Sequence, residues 1–317
     1  MTVFTSLKAA ELKQPQVISV GNFDGGHLGH AYMLKIARDT AIKMNSEVTA
    51  VTFWPAPMMV LRPDTHLRFL TPGLEKAVAL EQMQLVDHIV MIPFSHEIAR
   101  LNAEEFLQML LEHLSIIALV EGDDFRLGHN RSGDSHIVSG FAGAHNFTTT
   151  YIPRLQDANG PISSTRIRES IQFGDMVSAE NMLGRPYAAK GVVIHGDARG
   201  RQLGFPTANL RVSEHKLLPA NGIYAVQVIR EKFPNTILRG AANIGTNPTF
   251  NGQEHRLEVY ILDFDTTIYD EQLEIQFIQR LRGEEKFSGA DELIEQMSRD
   301  VEEVRRVLDI REVRVQT

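Results

Sequence analysis

The sequence predicts two domains: an N-terminal α/β domain with a doubly wound parallel sheet, and a C-terminal domain of antiparallel strands that ends in a helix. The chain has 317 residues, which is enough to build two hydrophobic cores. In the first half, apolar runs alternate with helical patterns, as is typical of a parallel sheet covered by helices. In the second half, glycine, proline and asparagine separate short β-type runs, as is typical of a barrel or a sandwich.

The first half contains five candidate strands with helical patterns between them. The apolar runs that indicate strands cover residues 17–20, 48–53, 88–92, 116–120 and 148–152. The helical patterns cover residues 31–44, 72–86 and 106–114, and the last of these follows a capping-box signal. A further helix is expected to begin near Ser164, and a second short helix to end near Leu183.

The pattern of the sequence changes at Gly184-Arg185-Pro186, from alternating strands and helices to short β-type runs. We therefore predict domains at residues 1–184 and 185–317. Beyond this point, β-type runs cover residues 191–194, 223–229, 241–244, 257–262 and 273–277. The last predicted element is a helix over residues 290–308, because its apolar residues recur on one face. Those residues are Leu293, Met297, Val301, Val304 and Leu308.

Composition and charge exclude several classes of protein. The apolar content of 43% and the charged content of 23% are ordinary for a globular protein. The net charge of −8 argues against binding to nucleic acid or to an anionic membrane. No apolar run approaches membrane-spanning length, and the N-terminus lacks the pattern of a signal peptide. The absence of cysteine fits a reducing compartment, so we expect a cytoplasmic protein.

The most informative stretch runs from Gly21 to His30 and joins the first strand to the first helix. Its glycines at positions 21, 25, 26 and 29 allow positive φ values and let the backbone come close to a ligand. His27 and His30 are three residues apart at the helix entrance, so both rings can face one spot. Two imidazole N–H donors beside a helix N-terminus suit the charge that develops on a phosphate under attack.

A metal site and the common nucleotide motifs fit this stretch less well. A zinc site is disfavoured because the chain has no cysteine, and His96-Glu97 lacks the second histidine of the His-Glu-x-x-His pattern. Neither a P-loop nor the Gly-x-Gly-x-x-Gly fingerprint occurs. A single histidine here would most often be an ordinary polar loop residue. A phosphate site that uses two histidines instead of a P-loop lysine indicates nucleotidyl transfer, in which the α-phosphate of a nucleotide is attacked and pyrophosphate leaves.

Two further candidate contacts for a nucleotide lie in the first half. Asp124 follows the fourth strand, at the edge where a parallel sheet binds ligands, although an ordinary polar turn is the alternative. Ser164, Thr165 and Arg168 combine helix-capping hydroxyl groups with a cation, and together they could hold an anion. The alternative for this segment is a capped helix with solvated arginines.

The second half contains a glycine-rich stretch over residues 191–209. It suits a flap that closes over phosphates with its backbone amides and with Arg199 or Arg201. Thr207 and Asn209 are two residues apart, so on an extended segment both side chains point to one face. Their oxygens suit a Mg²⁺ ion that already carries nucleotide phosphates. A glycine-rich hairpin without a function is the alternative.

These motifs resemble those of one known family. Gly-x-Phe-Asp-Gly-x-His-x-Gly-His, Gly-x-Asp-Phe-x-x-Gly and Ile-Ser-Ser-Thr-x-Ile-Arg resemble the FMN adenylyltransferase half of bacterial bifunctional riboflavin kinase/FAD synthetases. The Pro-Thr-Ala-Asn run resembles the motif of the riboflavin kinase barrel, so the resemblance covers almost the entire chain. It implies a barrel that converts riboflavin and ATP into FMN and ADP. It also implies an α/β domain that converts FMN and a second ATP into FAD, with Mg²⁺ in both steps.

The resemblance implies roles for individual residues. His27 and His30 would assist attack of FMN on the α-phosphate of ATP, and Glu258 would be the general base for the riboflavin hydroxyl. Thr207 and Asn209 would hold the magnesium ion. The residues implied around nucleotides are Gly21, Phe23, Asp24, Gly25, Gly29, Asp124, Ser164, Thr165 and Arg168 in the first half, and Gly191, Gly196 and Gly204 in the second.

Four further positions bear on how closely the chain resembles this family. Arg282 lies in the segment that resembles the family's flavin neighbourhood, so it is a candidate flavin contact. Glu258 lies in an otherwise apolar strand, where a carboxylate is paired, protonated or functional, unless the strand is an edge strand in water. Ala56 departs from the family, which usually has a histidine between two prolines here. Tyr260 is a milder departure, since the family often has histidine there.

We therefore expect an enzyme of flavin cofactor synthesis that needs neither nucleic acid nor a membrane; its oligomeric state is not predicted. Three rival hypotheses remain. The first is a kinase whose N-terminal half has lost adenylylation, as Ala56 suggests. The second is a flavin-binding regulator without turnover, although such a protein needs no general base. The third is a transferase for another phosphate-bearing acceptor, such as phosphopantetheine or glycerol phosphate.

Overall fold

The computed structural model describes residues 1–65, 67–196, 200, 203–249 and 252–316, and it leaves the side chains of residues 246–249, 252–255 and 312–316 undescribed. The chain forms two compact units, Met1–Ser164 and Thr165–Thr317. The domain boundary at residues 184 and 185 stays a prediction.

The first unit contains a six-stranded sheet in which all neighbouring strands are parallel. The strands are β1 (Thr2–Phe4), β2 (Leu12–Val20), β3 (Glu47–Phe53), β4 (His88–Ile92), β5 (Leu114–Gly122) and β6 (Thr148–Ile152). Their order is β1-β4-β3-β2-β5-β6: β3 and β4 follow β2 outwards on one side, β5 and β6 lie on its other side, and β1 is added at the edge beside β4. The carboxyl ends of β2 and β5 therefore border the crevice in which such sheets bind ligands.

Seven α-helices connect these strands in the described part of the first unit: α1 (Leu7–Ala10), α2 (Leu28–Met44), α3 (Pro57–Leu61), α4 (Glu75–Glu81), α5 (His96–Arg100), α6 (Ala103–Leu111) and α7 (Ser135–Ala144). A short hairpin, β7 (Gln156–Asp157) and β8 (Gly160–Pro161), follows the sheet. The predicted doubly wound parallel sheet is confirmed. Sequence periodicity missed β1, α1, α3 and α5, because three to five residues are too few to show a period. It also missed α7, whose ten residues include two glycines, which disfavour a helix.

The central strands are buried on both faces of the sheet. On one face, Ile18 and Val20 pack in a cluster with Leu107 from α6. On the other face, Val17 packs in a cluster with Leu34 from α2 and Ala50 from β3. Burial on both faces explains why these strands are continuous apolar runs in the sequence instead of alternating patterns.

The second unit contains a closed barrel of six antiparallel strands. The strands are β9 (Tyr187–Ile194), β10 (Thr207–Val212), β11 (Gly222–Arg230), β12 (Phe233–Thr249), β13 (Gly252–Ile261) and β14 (Gln272–Arg282), in the order β10-β13-β12-β11-β14-β9. The ring closes because β9 pairs with both β10 and β14. This closure selects the barrel over the sandwich, two folds that the spacing of the strands alone does not distinguish.

Three helices accompany the barrel: α8 (Ser164–Phe173), α9 (Met176–Leu183) and α10 (Ala290–Gln316). Helix α10 packs on the outside of the barrel, where Val304 and Leu308 form a cluster with Ala225. Helix α9 buries Met176, Met182 and other side chains, although it lies before the predicted domain boundary. Among the helices that the structure describes, none combines the length and the apolar content needed to cross a bilayer.

Candidate active sites

The two histidines of the glycine-rich turn form the start of α2. His27 is the N-cap residue, and its Nδ1 accepts the N–H of His30 at 3.3 Å. The Nδ1 of His30 accepts the N–H of His27 in return, also at 3.3 Å. The two rings are stacked with their centroids 3.6 Å apart. This reciprocal cap has the form of a capping box built from two imidazoles.

The cap determines which ring nitrogen carries the proton. An Nδ1 that accepts a backbone N–H has no hydrogen of its own, so a neutral ring must carry its hydrogen on Nε2. The neutral rings of His27 and His30 therefore both have the Nε2–H tautomer. Nε2–H donors suit a phosphate whose negative charge increases during attack.

Asp24 holds the turn to the segment that precedes α4. It is 4% exposed, and its carboxylate accepts the backbone N–H groups of Leu70 at 3.2 Å and Thr71 at 2.9 Å. The hydroxyl of Thr71 accepts the N–H of Gly25 at 2.8 Å. These bonds give Asp24 a structural role, and its predicted contact with a nucleotide stays a prediction.

The glycines of the turn serve two different needs. Gly25 and Gly26 have φ values of +87° and +49°, so they need the left-handed conformation that glycine adopts freely. Gly29 is needed for space, because a Cβ there would lie 3.0 Å from the ring of His27. Phe23 also has a positive φ, 47°, and its buried ring lies 5.2 Å from that of His30. No sequence signal indicated this strained residue.

Lys76 supports the end of β3 beside the turn. It is 2% exposed, and its Nζ donates to Thr52 Oγ1 and to the Phe53 carbonyl, both at 3.1 Å. Burial lowers the pKa of Lys76 to about 8, and the charge of Asp24 partly opposes this shift. Ala56, at the position of the family histidine, is only 4% exposed, so a larger side chain there would have to displace its neighbours.

The remaining residues that were predicted to contact a nucleotide in the first half each have different neighbours. Asp124 is half exposed and lies 3.5 Å from the guanidinium group of Arg154. The hydroxyl of Ser164 donates to the backbone carbonyl of Asp24 at 2.8 Å, which joins the end of the first unit to the turn. Thr165 and Arg168 lie in α8. The nucleotide contacts of these residues stay predictions.

In the barrel, strand pairing brings the predicted kinase residues together. Asn209 on β10 is directly opposite Glu258 on β13, and Glu258 is directly opposite Asn243 on β12. Thr207 is opposite Tyr260 in the neighbouring row of residues. Directly opposed residues have side chains on the same side of a sheet, so these five side chains share one face.

A pocket of about 350 Å³ lies on this face, between the barrel and α10. Thr207, Glu258 and Tyr260 line one side of the pocket. The apolar face of α10 lines the other side with Leu293, Met297 and Val301. The apolar walls and the carboxylate suit a planar aromatic ligand that carries a hydroxyl group. Residues that the sequence analysis did not place at a site also line the pocket: Phe205, Asn243, Leu293, Met297 and Asp300.

Arg282 lines the same pocket, but its guanidinium group is occupied by a protein partner. It forms two hydrogen bonds to Asp300 on α10, at 2.9 and 2.7 Å. Asp300 is buried, and these bonds raise the pKa of Arg282 above its ordinary value. The ion pair therefore fastens α10 to β14 at the edge of the pocket, and the predicted flavin contact of Arg282 stays a prediction.

A second pocket, of about 320 Å³, lies on the other side of Thr207. Its lining residues are Val193, Pro206, Thr207, Ala208, Val259, Ile261, Phe264, Asp265, Thr266, Thr267, Ile268 and Tyr269. Thr207 lines both pockets.

The glycines of the predicted flap are needed for different structural reasons. Gly204 has a φ of +88°. A Cβ at Gly196 would overlap the side-chain amide of Asn209, so the backbone there runs directly over that side chain. A Cβ at Gly191 would lie 3.0 Å from the Arg211 carbonyl, which is a requirement of strand packing. Arg199 and Arg201, the predicted cations of the flap, lie outside the described residues.

Thr207 and Asn209 fit a magnesium ion that is shared with a nucleotide. Both present oxygen atoms on one face of β10, opposite Glu258. Among the described residues, no group of three or more His, Asp or Glu side chains could hold a metal ion by itself. A hydroxyl and an amide oxygen therefore suit Mg²⁺ only when phosphates and water complete its octahedral shell.

Comparison with known proteins shows a family for each half of the chain. Residues 9–166 match the family described as FAD synthetase, and residues 183–308 match the family described as riboflavin kinase. A solved structure described as a macrolide-efflux protein from Streptococcus pneumoniae superposes with a TM-score of 0.87 at 31% identity, and covers 96% of this chain and 98% of its own.

Similar curated proteins carry the name bifunctional riboflavin kinase/FMN adenylyltransferase. The protein from Listeria monocytogenes is 37% identical over 292 residues, which are 92% of this chain and 91% of its own. The protein from Escherichia coli K12 is 35% identical over 285 residues, 90% of each chain. The protein from Bacillus subtilis 168 is 33% identical over 301 residues, 92% of each chain. With a histidine-capped turn in the first unit and a closed barrel in the second, and with relatives of this identity along its length, the chain belongs to the family of bifunctional riboflavin kinase/FMN adenylyltransferases.

Proposed function

We propose that this protein makes FAD from riboflavin in two steps, each in its own unit. The barrel phosphorylates riboflavin to FMN with ATP and releases ADP. The α/β unit then transfers AMP from a second ATP to FMN and releases pyrophosphate. The observation that carries the proposal for the barrel is the pair of pockets that meet at Thr207, with Glu258 in one of them.

The proposed kinase step uses the pockets as follows. Riboflavin occupies the pocket under α10, with its ring among the apolar side chains and its 5′-hydroxyl near Glu258. The nucleotide occupies the second pocket, and its γ-phosphate reaches the boundary at Thr207. The hydroxyl oxygen forms a bond to the γ-phosphorus while the bond from that phosphorus to the β,γ-bridging oxygen breaks. Glu258 accepts the hydroxyl proton, and ADP carries away the electrons of the broken bond.

We propose Thr207 and Asn209 as the residues that hold magnesium in the barrel. Mg²⁺, when bound there, would neutralise part of the phosphate charge. The place of Asn209 directly opposite Glu258 supports this assignment, because it brings the ligand oxygens close to the base. The close approach of Gly196 to Asn209 would let flap amides contact the same phosphates.

The proposed adenylylation step takes place at the glycine-rich turn. A phosphate oxygen of FMN forms a bond to the α-phosphorus of ATP, and the bond to pyrophosphate breaks. His27 and His30 donate their Nε2–H groups to the oxygens whose charge increases. Gly21, Phe23, Asp24, Gly25 and Gly29 shape the backbone around the nucleotide. We assign further nucleotide contacts to Asp124, Ser164, Thr165 and Arg168, and a cytoplasmic location because both steps consume ATP.

One assay tests the whole proposal. The purified protein is incubated with riboflavin, ATP and Mg²⁺, and the flavins are separated by chromatography over time. We expect FMN to appear first and FAD to follow, with one ADP per FMN and one pyrophosphate per FAD. If neither product forms, the proposal is wrong.

The kinase-only alternative rests on Ala56 and needs its own assay. The protein is supplied with FMN, ATP and Mg²⁺, so the barrel is bypassed. We expect FAD and an equal amount of pyrophosphate, because the paired histidine donors act at the reacting phosphate and only transition-state interactions raise the chemical rate. Riboflavin phosphorylation without any FAD from added FMN would favour the alternative.

A further inference from the structure

Glu121 is a buried carboxyl group that the proposed reactions do not use. It is 2% exposed and lies near the end of β5. The last residues that pair between β2 and β5 are Ile18 and Leu119. Beyond this pair the two strands share no register, so Glu121 lies at the point where the ligand-binding crevice of the sheet opens.

The side chain of Glu121 takes the place of a strand partner at this point. Gly21 donates its N–H to the Val51 carbonyl on β3 at 3.0 Å, so the preceding N–H, that of Val20, faces β5. Val20 donates this N–H to Oε1 of Glu121 at 2.5 Å. Glu121 therefore holds the last peptide group of β2, immediately before the turn that contains His27.

The charge state of Glu121 is subject to opposing influences. Burial raises the pKa of Glu121 well above its ordinary value, and the charge of Asp124 acts in the same direction. The bonds from the Val20 N–H and from the Ser19 side chain oppose this shift, because they favour the charged form. The carboxyl group can accept the Val20 N–H in either protonation state.

We propose that Glu121 is a positioning residue for adenylyl transfer, which holds the Val20 peptide and thereby keeps the glycine-rich turn in its phosphate-binding geometry. Its side-chain oxygen supplies a hydrogen-bond acceptor for the Val20 N–H at a point where no backbone carbonyl among the described residues of β5 is paired with it. The inference rests on the proposed adenylylation, but it concerns a residue outside the motifs that carry that proposal.

Three variants test the inference in the full-length protein with FMN, ATP and Mg²⁺. Glu121→Gln keeps the shape of the side chain and an oxygen that can accept the Val20 N–H, so we expect kcat within about twofold of the wild type. Glu121→Leu removes both bonds, and Glu121→Asp shortens the side chain by one methylene. For these two we expect kcat to fall by about 10- to 100-fold with smaller changes in KM, which is the scale of a slight misplacement of reacting groups.

A merely structural role would not produce this pattern. Riboflavin phosphorylation by each variant reports whether the barrel is intact, and the fluorescence of Trp54, the single tryptophan, reports whether the first unit is folded. Glu47→Leu is the matched control, because it removes a carboxylate bonded to Gln16 at the opposite end of the same sheet. We expect it to lower thermal stability and to leave the kcat of FAD formation unchanged.

Two results would overturn the inference. One is a Glu121→Gln variant that makes FAD as slowly as Glu121→Leu. A pH profile of its kcat between pH 6 and 9 that differs from the wild type would count in the same way, since either result requires an ionisable group at this position. The other is a folded Glu121→Leu variant with wild-type kcat. If Glu121→Leu does not fold, the comparison of Glu121→Gln with Glu121→Asp decides. A wild-type protein that makes no FAD would instead refute the proposed adenylylation.

Discussion

At the scale of residues, the reciprocal cap gives His30 two roles that can be separated. Its Nδ1 accepts the N–H of His27 and its Nε2 carries the donor hydrogen. In an asparagine side chain, Oδ1 lies near the position of Nδ1 and no donor lies near Nε2. We expect His30→Asn and His30→Ala both to lower FAD formation by about 10²–10³, the scale for the loss of one preorganised donor.

The two variants should differ in stability. His30→Ala also loses the cap, which is worth about 0.5–2 kcal/mol, whereas His30→Asn keeps an acceptor for His27. Thermal unfolding followed by Trp54 fluorescence measures this difference. FMN formation from riboflavin should be unchanged in both. A His30→Asn variant with wild-type FAD formation would show that the Nε2 donor is not needed.

Glu258 is the second residue whose role can be isolated. Glu258→Gln preserves the shape of the side chain and removes the base, so we expect FMN formation to fall by about 10²–10⁴, the usual contribution of general-base catalysis. FAD formation from added FMN should survive. Glu284→Gln is the matched control: Glu284 lines the same pocket, is exposed and accepts a hydrogen bond from Asn221. If both variants phosphorylate riboflavin at similar rates, Glu258 is not the base.

At the scale of elements, Lys76 connects α4 to the end of β3 and should make the stability of the first unit depend on pH. Its pKa is lowered to about 8 in the folded protein from an ordinary value of 10.5. Between these values the unfolded chain binds more protons than the folded one, so stability rises with pH, by up to about 3 kcal/mol. Below pH 8 the lysine is charged in both states, and this gain in stability is absent.

Denaturant unfolding at pH 7 to 10, followed by Trp54 fluorescence, tests this expectation. In Lys76→Met the side chain has a similar length and no charge, so the rise in stability above pH 8 should be smaller by about the amount attributed to Lys76. Lys35→Met, at an exposed position on α2, is the control and should keep the full rise. Equal pH slopes for the wild type and Lys76→Met would contradict the expectation.

At the scale of the whole molecule, the two units should work separately, and the second should need α8 and α9. Helix α9 buries Met176, Met182 and Leu183, and Glu180 forms a two-bond ion pair with Arg311 on α10. Each buried Met or Leu contributes about 1.5–3 kcal/mol. We expect fragments 165–317 and 184–317 both to make FMN and no FAD, and the longer fragment to have a clearly higher Tm.

Circular dichroism melting and a riboflavin phosphorylation assay on both fragments measure this difference. Equal melting temperatures would show that α9 adds nothing to the barrel unit. FAD from either fragment would contradict the assignment of adenylylation to the first unit.

The sequence by itself determined the two kinds of fold, the family and the position of the histidine turn. These features depend on local order: a strand followed by glycines, two histidines at helical spacing, and apolar runs that change in character after residue 184. The helix over residues 290–308 was also visible, because its apolar residues repeat with the helical period. Local patterns of this kind survive without knowledge of any distant partner.

Only the tertiary structure decided what surrounds these motifs. The row of Asn209, Glu258 and Asn243 depends on the register between three strands, and the sequence shows no register between distant segments. The apolar face of α10 was predicted from its spacing, and only the structure shows that part of it lines the pocket beside Glu258. Arg282 is paired with Asp300, eighteen residues later, a partner that the sequence does not indicate. Glu121 follows an apolar run like any turn residue, and only the divergence of β2 and β5 leaves it buried and bonded to Val20. Each of these outcomes depends on contacts between segments far apart in the chain, which burial and strand pairing create and local composition does not encode.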